Sequence, residues 1–108
     1  MRIAVCSIGE GKLPIIAESI STTRLFIVFD LLENKILEKI ANNYSTSPSS
    51  EIFSAQLLIS KGVNAVVCKK IEENAKKLFD AADVKVIENF DHELDGILNE
   101  IFMVYHNL

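Results

Sequence analysis

The stretch SAQLLISKGVNAVVCKKIEENAKKLFDAADVKVI, Ser54–Ile87, switches twice between helical and extended spacing, and its reading decides the fold. Its opening residues close a helix, SSEIFSAQLLISK, in which Ile52, Phe53, Leu57 and Leu58 recur at helical intervals. Gly62 then serves as the C-terminal stop. VNAVVC is a short apolar run of the kind a buried strand makes. IEENAKKLFDAA follows, with Glu72 and Glu73 in a first turn and Ala75, Leu78, Phe79 and Ala82 on one face. That is an amphipathic helix whose acidic start suits its dipole. VKVIEN is the next strand. Strands alternating with helices in this way imply right-handed crossovers and parallel neighbours.

Upstream, RIAVCS and RLFIVFD are short runs rich in β-branched and aromatic residues, and each reads as a strand. KILEKIA alternates apolar with charged residues, with Ile36, Glu38 and Ile40 on one face. The short connection through Glu33 and Asn34 predicts a hairpin and so an antiparallel edge strand. NNYSTSPSS is loop by composition, and its end offers Ser47 as N-cap and Pro48 as first helical residue. Downstream, DHELDGILNEIFMVY predicts a third helix, capped by Asp91, with Leu94, Ile97, Leu98, Ile101 and Phe102 inward. The sum is an α/β single domain over residues 1–108: a five-stranded mixed sheet flanked by three helices. Ligands of such sheets sit outside the carboxyl ends of the parallel strands, where the loops after Cys6 and Cys68 should lie.

A chain of 108 residues, 49% of them hydrophobic, can build one core. No apolar run approaches the roughly 20 residues that span a bilayer, and the start MRIAVCSIGEGK lacks the pattern of a signal peptide, so a cytoplasmic protein without membrane contact is expected. The formal charge of -4, with lysines scattered among glutamates, lacks the footprint of a nucleic-acid binder. Gly9, Gly11 and Lys12 are spaced too closely for a phosphate loop, and Leu13 and Pro14 follow where a helix should open. His92 and His106 lie near the two ends of the terminal helix, far in sequence from the cysteines, and read as solvated. Two cysteines in a reducing compartment leave metal ligation, redox pairing or burial open.

The residues between Ser7 and Asp30, SIGEGKLPIIAESISTTRLFIVFD, resemble the glycine loop, glutamate and second strand of the dinitrogenase iron-molybdenum cofactor biosynthesis family. Ser7, Gly9, Gly11, Glu18, Phe26 and Asp30 fall where that pattern has them. Within Ser54–Ile87, Gln56, Leu57, Leu58, Gly62, Val63, Ala65, Val66, Asn74 and Ala75 are similarly in register. The chain departs from the pattern at Ile20, Ser21 and Thr22, at the STSPSS segment, and at Lys69–Glu73, where glycines are replaced.

The resemblance implies a ribonuclease H-like fold and a carrier that binds iron-sulfur or iron-molybdenum cofactors rather than a catalyst. The two-metal nuclease chemistry of that fold needs converging carboxylates, and the first and fourth strands contain none. With the family's sheet order, Cys6 and Cys68 would end neighbouring strands and serve as metal ligands at one rim. Lys69 and Lys70 would offset the charge of a thiolate-bound cluster or another small anionic ligand. Ser7, Gly9 and Gly11 would cradle the ligand, and Glu18 would orient the loop or the ligand. The alternative is an interaction or regulatory module with a degenerate pocket, acting through Ile101, Phe102, Val104 and Tyr105 on a protein partner or as a homodimer. A thiol switch would need at least one exposed sulfur.

Overall fold

A computed structural model of the chain describes residues 1–8, 16–30, 32–33, 35–44 and 47–88. The third helix expected over 91–105, with His92 and His106, lies outside the described residues, as do Gly9 and Gly11. The described elements run β1 (Arg2–Ser7), β2 (Leu25–Asp30), β3 (Lys35–Ala41), α1 (Ser50–Ser60), β4 (Ala65–Cys68), α2 (Glu73–Ala81) and β5 (Lys85–Glu88). The five strands form one sheet in the order β3-β2-β1-β4-β5. Pairing is antiparallel from β1 through β2 to β3 and parallel from β1 through β4 to β5. The mixed α/β sheet read from the sequence is therefore present, with two helices among the described residues. None of these helices is long and apolar enough to cross a membrane.

The sheet is buried on both faces, as sheets carrying crossover helices generally are. On the helix side, Ala4, Cys6, Phe26, Val28, Val66 and Cys68 pack with Ala55, Leu58, Ala75 and Phe79. On the other, Ile3, Val5, Ile27, Phe29, Ala65 and Val67 form a second cluster. The central strands β1 and β4 are apolar in consecutive positions because both of their faces must be filled.

Three local readings differ from the structure. Ile36 and Ile40 do not share a face: Val28 pairs with Glu38 but Phe29 with Ile36, so Leu37 is an extra residue that reverses the alternation. Ile36 consequently packs on the second cluster and Ile40 on the first. In α1 the buried residues are Ser50, Ser54, Ala55 and Leu58, whereas Phe53 is exposed and stacks on Tyr44 with ring centroids 5.2 Å apart. The cap of α1 is Ser49, in the left-handed region at φ 59°, rather than Ser47, and Pro48 precedes the helix. Gly62 does end it, at φ 73°, where an L side chain would be strained.

At the strands' amino-terminal end, Asn64 ties three strands together. Its Oδ1 accepts from the Arg2 N–H, its N–H donates to the Arg2 carbonyl and its carbonyl accepts from the Lys85 N–H. Asp30 closes β2 by accepting the N–H groups of Leu32 and Glu33. Partial desolvation acts against its charged form, but these two bonds and the nearby N-terminal ammonium outweigh it and hold the carboxyl below its ordinary value.

Candidate ligand-binding site

The carboxyl ends of β1, β4 and β5 bring together Cys6, Cys68 and Glu88. Cys68 pairs in register with Glu88, and Val5 with Val67, so one further step sets Cys6 beside Cys68. The thiols touch on the helix side of the sheet. Neither reaches solvent: both are fully buried. Contact with the Cys68 thiol, reinforced by burial, holds the Cys6 thiol well above the usual range. A covered pair is the reverse of the electropositive, partly exposed setting that activates thiolates. The exposed sulfur that a redox switch requires is absent.

What covers the sulfurs is the connection from Ile16 to Arg24. Ser7 and Ile16 form an isolated antiparallel bridge, and the Ala17 N–H donates to the Cys6 carbonyl at 2.9 Å. The Ala17 carbonyl accepts from the Lys69 N–H at 3.3 Å and from the Cys68 thiol at 3.5 Å. Ile20 is buried behind it, and the Glu72 carboxylate accepts the N–H groups of Ile20 and Ser21. Ser19 closes the turn by accepting from Thr22 and Thr23 through its carbonyl. Ser7 is fully buried below this connection, and its carbonyl accepts the Arg24 N–H.

Beside the plug an open cavity of about 210 Å³ is lined by Lys69, Lys70, Lys76 and Glu88. Lys69 pairs with the exposed Glu18 at 3.1 Å. Lys70 is exposed and makes no ion pair among the described residues. Lys76 pairs with one oxygen of Glu88, while the other accepts the Ile71 N–H at 2.7 Å. This bond to Glu88 raises the Lys76 ammonium above its ordinary value, so it stays charged throughout the neutral range. Of the residues singled out from sequence, Lys69 and Lys70 line this cavity, Glu18 pairs with Lys69, Cys6, Cys68 and Ser7 are buried, and Gly9 and Gly11 are outside the described residues.

Lys76, Glu72 and Glu88 were not singled out from the sequence. Lys76 stands one turn after Glu72 on α2, and Glu88 ends β5 in register with Cys68, so helical spacing and strand pairing together could have placed them.

Among the described residues no group of three or more His, Cys, Asp or Glu side chains is arranged to hold a metal ion. The chemistry on offer is charge: three ammonium groups and one carboxylate around a cavity at the carboxyl ends of β4 and β5. Two of these ammonium groups are already paired in this small α/β domain, Lys69 with Glu18 and Lys76 with Glu88.

The chain belongs to the dinitrogenase iron-molybdenum cofactor family, whose model matches residues 1–103. Solved structures share the fold. The apo form of the orange protein from Desulfovibrio gigas is 22% identical, with a TM-score of 0.74 over 93% of this chain and 88% of that one. A provisional NifB protein from Thermotoga is 24% identical, with a TM-score of 0.72 over 92% and 87%. A provisional dinitrogenase from Methanocaldococcus jannaschii is 16% identical, with a TM-score of 0.54 over 94% and 90%. No curated protein matches the chain.

Proposed function

We propose that this chain is a non-enzymatic carrier that holds an anionic metal-sulfur cofactor, of the iron-molybdenum or iron-sulfur class, as cargo at the carboxyl ends of β4 and β5. The observation that carries the reading is the cavity lined by Lys69, Lys70 and Lys76. Family membership supplies the class of cargo, and the lysines supply its counter-charge. Lys69 and Lys70 would face the cargo, and Glu18 would fix Lys69. Cys6 and Cys68, fully buried, serve as the floor under the site rather than as ligands.

The test is anaerobic incubation with isolated iron-molybdenum cofactor, or with a donor of a four-iron cluster, followed by gel filtration and metal analysis. Wild-type protein should retain cargo, the Lys69→Ala, Lys70→Ala double variant should lose most of it, and Cys6→Ser, Cys68→Ser should retain it if folded. Loss in the cysteine variant with full retention in the lysine variant would overturn charge as the binding principle and restore the thiols as ligands.

A further inference from the structure

Glu88 occupies the place in the cavity where an anionic ligand would sit best. It ends β5 in register with Cys68, so its side chain leaves the sheet on the helix side and reaches the chain just ahead of α2. One carboxylate oxygen takes the Ile71 N–H and the other takes Lys76, while Lys69 and Lys70 line the same cavity. A backbone N–H and an ammonium converging on one anionic group is the contact set by which proteins bind phosphate-like oxyanions. Glu88 is also the one acidic residue in the described lining.

We infer that Glu88 is a built-in counter-anion that holds the seat between Ile71 and Lys76 and must be displaced by cargo, so that the site selects anions of charge two or more. This rests on the reading of the cavity as the cargo site. The selection follows from competition. Glu88 is a monoanion tethered in place, with the effective-concentration advantage of any intramolecular group. A free monoanion makes the same two contacts and loses translational freedom in doing so. A multiply charged anion gains Lys70 as well, which makes no ion pair among the described residues and gives the additional attraction needed to move the carboxylate out.

Molybdate, a small tetrahedral dianion, is the probe, with chloride as monoanion control. Amide NMR shifts report binding, and circular dichroism reports folding. Glu88→Gln keeps an acceptor for the Ile71 N–H but removes the charge, so it should bind molybdate about tenfold more tightly than wild type. Chloride should also begin to bind in this variant, and Lys70→Ala should weaken molybdate binding in the wild-type background. A folded Glu88→Gln protein that binds molybdate no better than wild type overturns the inference. If Lys70→Ala still weakens binding in that case, only the role of Glu88 fails. If neither wild type nor Glu88→Gln binds molybdate or retains metal-sulfur cargo, the cargo-site reading falls with it. Should Glu88→Gln not fold, the carboxyl carbon of Glu88 in wild type is followed by carbon NMR. Its signal should move as molybdate saturates the site, and a stationary signal at saturation overturns displacement.

Discussion

Ala17 has only a methyl side chain, yet its two backbone polar groups clamp both cysteine-bearing strand ends. Its position helps to bury the thiols, and it makes a prediction about them. A thiol reagent should label neither cysteine in the folded protein on the timescale of minutes and both in denaturant. The raised Cys6 pKa adds a pH signature with a definite sign. Folded and unfolded forms both carry the proton below the ordinary thiol value of 9.0, but above it only the unfolded chain releases it. Stability should therefore fall as the pH rises from about 9 toward the folded value, and Cys6→Ala should flatten that alkaline decline in chemical denaturation. Glu72 tests the cover directly. Glu72→Ala leaves the Ile20 and Ser21 N–H groups without their acceptor, so it should cost roughly 1–3 kcal/mol and speed thiol labelling. The neighbourhood of the two cysteines was expected from the family's sheet order and burial was among the readings left open, but what covers them was not legible. AESISTT, residues 17–23, carries mostly polar side chains, and it covers the sulfurs through main-chain bonds that no side-chain pattern displays.

At the scale of the elements, both helices were legible as helices, but the buried face was legible for α2 and only in part for α1. Phe79 and Ala75 sit where an amphipathic pattern puts them, because α2 buries a large residue against the sheet. The α1 helix buries Leu58 as expected, but with it Ser50, Ser54 and Ala55, and leaves Phe53 outside, and small residues mark no apolar stripe. The edge strand β3 misleads for a third reason, since the extra residue at Leu37 reverses a period-two pattern midway. The burial of a polar side chain in α1 carries a cost at Ser54, whose Oγ finds no hydrogen-bond partner among the described residues. Replacing that hydroxyl with hydrogen removes an unsatisfied polar atom and raises helix propensity. Ser54→Ala should thus stabilise the protein by roughly 0.5–1.5 kcal/mol in denaturant titrations. An equal loss instead would mean that the hydroxyl has a partner that holds the helix in place.

On the scale of the whole molecule, the chain carries a formal charge of -4 and is proposed to take an anion. The two facts are compatible because the attraction is local and the repulsion is spread. The screening length is about 30 Å at 0.01 M salt, so the acidic surface as a whole then opposes an approaching anion, whereas at 0.15 M it is about 8 Å and distant glutamates no longer count. Lys69, Lys70 and Lys76 remain within reach of bound cargo at either concentration. Cargo retention should accordingly change little between 0.01 and 0.1 M salt, as repulsion and attraction weaken together, and then fall as salt rises toward 1 M, where the length is about 3 Å and the lysines themselves are screened. Gel filtration of the loaded protein across this series, with metal content measured in the protein peak, checks the expectation. The Lys69→Ala, Lys70→Ala variant supplies the control, since whatever weak retention it keeps should lose the high-salt decline. Retention that stays constant to 1 M salt in wild type would mean that the cargo is held by bonds to the metal, because a thiolate bond does not weaken with ionic strength as an ammonium contact does.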